Sequence, residues 1–218
     1  MAKAFFVVMF IICMSVSGCN REPDVAAQEP GEPMKTIVAV GDSLTAGYGL
    51  DESEGYPALL EEKLQAAGHK YRVINGGVSG ETSSGTLSRM EWILTLEPDI
   101  VILETGANDG LRGVDPRLAE KNLRQMLQIL REKDVVVVLA GMKMVWNMGP
   151  EYVAAFNRIY PELADDFDVV FLPFFLEGVA TQSQLNLGDG IHPNSQGYKK
   201  ITENIYPYVL EAIERREG

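Results

Sequence analysis

Ser43 lies in "VAVGDSLTAGYG", residues 38–49, where a short apolar run gives way to glycines. A hydroxyl in such a turn can serve a bound phosphate or attack an electrophilic carbon. Attack needs a base within hydrogen-bond reach and, usually, a third group that orients the base. The chain has two histidines. His69, in "AAGHKYR", falls between a helix end and a strand start, away from the strand carboxyl ends, and reads as a solvated loop residue. His192, in "DGIHP" at 189–193, has Asp189 three residues before it in a glycine-containing turn. That spacing lets the carboxylate accept from one ring nitrogen while the other faces Ser43. The plainer reading makes Asp189 a turn former and His192 a cap of the last helix.

A serine that attacks an acyl carbon also needs donors for the oxyanion, each worth about 10² to 10³ in rate. The sequence offers three: the N–H of Gly80 in "GGVSGETSSG" (76–85), the amide of Asn108 in "GAND" (106–109) and the N–H of Ser43 itself. The phosphate reading has less to stand on. There is no G-x-x-x-x-G-K-[ST] loop, and the glycines around Ser43 do not spell G-x-G-x-x-G. "GDSL" also lacks the second glycine of the G-x-S-x-G elbow, so a different hydrolase geometry is implied. Asp42 and Asp109 read as loop organisers that bond nearby backbone N–H groups, and Ser79, Ser83 and Ser84 as turn hydroxyls. Met142, Met144, Val145, Trp146 and Met148 either line a pliable acyl-binding surface or pack locally under a loop. Of these, Met144, Trp146 and Met148 are the candidate substrate-binding residues.

These motifs need elements to bring them together. Short Val/Ile/Leu-rich runs at 36–40, 71–74, 99–104, 134–140 and 168–172 alternate with amphipathic stretches at 56–68, 117–133 and 151–167. The runs at 99–104 and 134–140 lack period-2 alternation, as parallel strands covered on both faces do. Gly68 reads as a helix stop and Asp115-Pro116 as a cap with a first-turn proline. A last segment, about 195–214, closes the domain, with Pro207 predicting a kink or a restart near Tyr206. The pattern is that of an α/β doubly wound sheet with five parallel strands and a site at their carboxyl ends.

At 218 residues the chain suits one domain. With 31 acidic against 19 basic residues, a net charge of −12 and no Lys/Arg cluster, nucleic acid is a poor partner. Residues 1–18, "MAKAFFVVMFIICMSVSG", have the layout of a secretory signal. Val16-Ser17-Gly18-Cys19 is similar to a bacterial lipobox, which would make Cys19 a lipidated residue holding an exported protein to a membrane. A plain signal peptide and an uncleaved anchor are the alternatives. Residues 19–35 read as a flexible tether and 36–218 as the domain. Cys13 and Cys19 are the only cysteines, so the domain has neither a disulfide nor a thiolate metal site. No metal or organic cofactor is expected, and a monomer is.

The four blocks, in order, resemble the SGNH hydrolase family, the GDSL esterases. "GANDGLRG", "FNRIYPELADDFDV", "LPFF" and "DGIHPN" resemble its bacterial periplasmic thioesterase I/protease I/lysophospholipase branch. The resemblance runs from about Thr36 to the end. It implies a flavodoxin-like three-layer α/β/α sandwich that hydrolyses esters and thioesters of acyl chains. It makes Ser43 the nucleophile, His192 the base, Asp189 its orienting acid, and Gly80 and Asn108 oxyanion donors. "GMKMVWNMGP", 141–150, departs from the covering loop of that branch, which leaves acyl preference open. Removal of O-acetyl groups from carbohydrate is the runner-up activity. A binding lipoprotein with a dead site would require a damaged block, and none is seen.

Overall fold

The computed structural model describes Met1 and residues 33–144 and 148–218. Cys19, Trp146 and the signal segment beyond Met1 lie outside the described residues. Each expected apolar run forms a strand: β1 (Lys35–Gly41), β2 (Tyr71–Gly77), β3 (Ile100–Glu104), β4 (Val136–Ala140) and β5 (Val170–Leu172). The helices are α1 (Ser43–Ala46), α2 (Tyr56–Ala66), α3 (Ser83–Ser88), α4 (Met90–Leu94), α5 (Ala107–Leu111), α6 (Pro116–Glu132), α7 (Pro150–Phe167) and α8 (Ser195–Glu217). All strands pair in parallel, in the order β2-β1-β3-β4-β5. This is the flavodoxin-like order. Helices α2 and α8 pack on one face, α6 and α7 on the other. Val38, Val101 and Val137 lie side by side across β1, β3 and β4. The apolar runs do not alternate because both faces are covered, and Ile37–Val40 and Ile100–Leu103 are fully buried.

The helix stops work through their backbones. After α2, Gly68 takes φ 88°, its N–H donates to Gln65 O, and the His69 N–H reaches Leu64 O. This paired C-terminal bonding satisfies the last carbonyls. Asp134 does the same after α6 at φ 55°, with its N–H on Arg131 O and the Val135 N–H on Leu130 O. Residues 134 and 135 therefore finish the helix, and β4 starts at Val136, two residues later than the expected run. Asp168, at φ 49°, ends α7 in a left-handed turn, so β5 begins at Val170. Asp115 caps α6 by accepting from the Arg117 N–H at 3.0 Å.

Pro207 does not restart the last helix, which runs unbroken from Ser195 to Glu217. The proline is exposed, so the carbonyl it leaves without an N–H faces water, while Ile205 and Val209 on either side are buried against the domain. Strand order reverses about β1, and the crevice of such a sheet opens at the carboxyl ends on either side of that point. Ser43, Gly80 and Asn108 lie just beyond the ends of β1, β2 and β3. His192 lies in the loop before α8.

Candidate active site

Ser43 opens the single turn of α1. Asp42 caps that turn, its Oδ1 accepting from the Leu44 N–H at 2.9 Å, and Gly47 ends it in the left-handed region at φ 75°. A side chain on Gly41 would collide with Thr45 Oγ1 and with both the carboxylate and the backbone oxygen of Glu104. Only glycine lets β1 pass that close to β3. From α8, the buried Tyr198 hydroxyl donates to Leu44 O at 2.9 Å and fixes the turn against that helix.

His192 Nε2 lies 3.0 Å from Ser43 Oγ, and its Nδ1 lies 2.7 Å from Asp189 Oδ2. Asp189 is acceptor-only when ionised, so Nδ1 carries the hydrogen and Nε2 is left to accept from the serine. The other carboxylate oxygen, Oδ1, accepts from the N–H groups of Ile191 and His192 at 3.0 and 3.1 Å. The histidine bond and these two backbone bonds hold the Asp189 carboxyl down at a pKa of about 2. The imidazole packs on the Tyr48 ring, with centroids 4.5 Å apart, which limits its rotation.

Gly80 has φ 79°, a conformation glycine adopts without strain. Its loop is tied to the serine turn by the Val78 N–H, which donates to Gly41 O at 2.9 Å. Asn108 sits in the first turn of α5 and donates from Nδ2 to Asp42 Oδ2 at 2.9 Å. An amide nitrogen has two hydrogens, so one is held by Asp42 and one remains for a ligand.

Ser43, Gly80, Asn108 and His192 line one cavity of about 510 Å³. Its remaining walls are largely apolar and include Leu111, Met142, Met144, Phe174, Leu176, Ala180 and Ile191. Met144 thus lines the same cavity as the serine, whereas Met148 faces a separate depression beside Pro150 and Tyr152. Phe174, Leu176 and Ala180 gave no sequence signal beyond the "LPFF" similarity, because nothing local marks a loop residue as facing a distant serine. His69 is away from the site, in the turn between α2 and β2.

The model of the GDSL-like lipase/acylhydrolase family matches residues 39–200. Esterase TesA of Pseudomonas aeruginosa is 41% identical over 174 residues, covering 79% of this chain and 87% of that protein. Thioesterase 1/protease 1/lysophospholipase L1 of Escherichia coli is 43% identical over 169 residues, covering 77% of this chain and 80% of that protein. A crystal structure of TesA superposes with a TM-score of 0.78 at 40% identity, covering 82% of this chain and 99% of that one.

The chain belongs to the GDSL-like lipase/acylhydrolase family. It is a serine ester hydrolase with the SGNH hydrolase fold, as the α/β reading of the sequence expected.

Beneath the family's serine turn lies a buried network with no forewarning in the sequence beyond a lone glutamate ending an apolar run. Glu104 closes β3 fully buried; its Oε2 accepts from Thr45 Oγ1 at 2.8 Å and from the Asp42 N–H at 3.4 Å, and its Oε1 has no partner among the described residues. Burial pushes the Glu104 carboxyl well above the usual range, and the neighbouring Asp42 charge pushes the same way. Burial also raises Asp42, opposed by its bonds from Leu44 and Asn108.

Asp109 organises more than its own turn. It is fully buried and accepts from both the N–H and the hydroxyl of Ser83, at 2.7 and 2.6 Å, which joins the loop after β3 to the start of α3. Asn122 on α6 adds bonds to the hydroxyls of Ser83 and Ser84 at 3.0 and 2.8 Å. Tyr160 holds the same region by donating to Thr105 O at 2.7 Å.

Proposed function

We propose that the chain hydrolyses acyl esters and thioesters through an acyl-enzyme on Ser43. His192 Nε2 takes the hydroxyl proton as Oγ bonds to the acyl carbon, and Asp189 stabilises the imidazolium that forms. The N–H groups of Ser43 and Gly80 and the free Asn108 amide hydrogen receive the developing oxyanion. His192 then hands its proton to the departing alcohol or thiol. Water then bonds to the acyl carbon as it loses a proton to the same nitrogen, the acyl carbon–Oγ bond breaks, and Oγ takes that proton back as the carboxylic acid leaves. The observation that carries this reading is the Ser43–His192–Asp189 hydrogen-bonded row, 3.0 and 2.7 Å, at one end of an apolar cavity.

The cavity walls favour acyl chains over acetyl groups on carbohydrate, since an acetyl group would leave most of that apolar surface wet. The name of the Escherichia coli relative, which includes thioesterase and lysophospholipase, points the same way. On the sequence pattern of residues 1–35, the enzyme is exported, its domain starting near Thr36 and tethered through a lipidated Cys19. Two experiments test these readings. Ser43→Ala abolishes hydrolysis of p-nitrophenyl acyl esters, and a fluorophosphonate labels Ser43 alone; retained turnover in Ser43→Ala refutes the mechanism. Cys19→Ala releases the protein from membranes; a variant that stays bound refutes the anchor.

A further inference from the structure

Arg112 follows α5, one turn beyond Asn108, with its side chain in solvent. Its Nη2 donates to Gly80 O at 2.7 Å and approaches Asn108 Oδ1 at 3.4 Å. Gly80 follows β2 and Asn108 follows β3, so one guanidinium spans the two loops that carry the oxyanion donors. We propose that Arg112 is a positioning residue that locks the oxyanion hole across these loops, an inference that rests on the acyl-transfer reading above.

The Asn108 amide can in principle turn over and exchange its oxygen and nitrogen. Asp42 Oδ2 meets its nitrogen at 2.9 Å, and the Arg112 cation lies on its oxygen side. Turning the amide over would set oxygen against carboxylate and NH₂ against guanidinium, two repulsive contacts in place of two attractive ones. The second amide hydrogen is thereby left for the cavity. The bond to Gly80 O acts on the other donor. Glycine at φ 79° leaves the backbone free to rotate, and anchoring its carbonyl narrows that freedom.

Bonds made by an exposed side chain add little to stability, so Arg112 can be removed without unfolding the protein. Donor alignment is a different matter, since each oxyanion donor is worth about 10² to 10³ in rate. Both acceptors meet the same nitrogen, Nη2, whose two hydrogens can serve them together while the guanidinium plane fixes their directions.

The test compares Arg112→Ala and Arg112→Lys with the wild-type full chain on p-nitrophenyl butyrate, alongside the rate at which a fluorophosphonate labels Ser43 and the melting temperature. The expected result for Arg112→Ala is a fall in kcat of about tenfold, part of the loss of one donor, with KM and melting temperature nearly unchanged. Labelling slows by a similar factor, because phosphonylation uses the same hole, and Arg112→Lys recovers part of both rates. Wild-type kcat and labelling in Arg112→Ala overturn the proposal, as does a loss confined to KM, which would make Arg112 a substrate contact. A wild-type protein that neither hydrolyses the ester nor reacts with the probe refutes the acyl-transfer reading instead.

Discussion

Glu104 Oε2, at the end of β3, accepts at 2.8 Å from the Oγ1 of Thr45, two residues after the serine. Burial and the adjacent Asp42 hold this group protonated well above the ordinary range. The unfolded chain gives up the proton near the usual glutamate value of about 4.3. Glu104 therefore contributes fully below that value, and its contribution is lost as pH rises toward the raised folded value. Each pH unit crossed costs up to about 1.4 kcal/mol. Glu104→Gln cannot ionise; it carries a fixed penalty for its buried NH₂, and its deficit against wild type narrows from pH 5 to pH 8. Melting curves at both values check this, and a difference independent of pH refutes it.

Asp189 stays ionised through the working range because its carboxyl is held at about 2. Asp189→Asn removes the charge that favours imidazolium and loosens the choice of tautomer. A fall in kcat of roughly 10² to 10⁴ is expected, by analogy with such triads. Turnover of Asp189→Asn at the wild-type level would mean that Asp189 does not orient the base.

Gly41 and Gly80 should fail in different ways. Gly41→Ala drives a methyl into Thr45 and into both the side chain and backbone of Glu104, none of which can give way, so the variant loses about 3 kcal/mol or more and is largely insoluble. At Gly80 an added Cβ would meet only Arg112 Nη2, at 3.5 Å, so Gly80→Ala folds and carries about 1–2 kcal/mol of backbone strain from its positive φ. Its loss is in kcat. Thermal unfolding and turnover of the two variants, measured together, decide the point.

Ala180 lines the apolar wall of the cavity, and Ala180→Trp fills part of it. The ratio of long-chain to short-chain p-nitrophenyl ester turnover, as kcat/KM, should drop about 10- to 200-fold, the usual reach of a few methylenes in an apolar pocket. An unchanged ratio would mean that the acyl chain lies elsewhere.

The strands, the main crossover helices, the family and the three-residue turn joining Asp189 to His192 were all legible in the chain of residues. These depend on signals carried within a few residues: apolar runs, glycine and proline punctuation, and a spacing short enough for a carboxylate to reach its own neighbour's ring. Strand starts were misjudged by two residues at β4 and β5, because Val135 and Val169 look like strand residues while the preceding Asp134 and Asp168 end helices at positive φ.

How the four blocks meet, and what holds them, came from packing in three dimensions. Asp42 reaches Asn108, Asp109 reaches Ser83, Tyr198 reaches Leu44 and Arg112 reaches Gly80 across separations that no periodicity encodes. The same is true of Phe174, Leu176 and Ala180, which line the serine's cavity. Polar residues at the ends of parallel strands have many partners available along the chain. Which one each takes is set by strand order and by the close approach of β1 to β3 at Gly41, where the packed sheet fixes distances that sequence spacing leaves free.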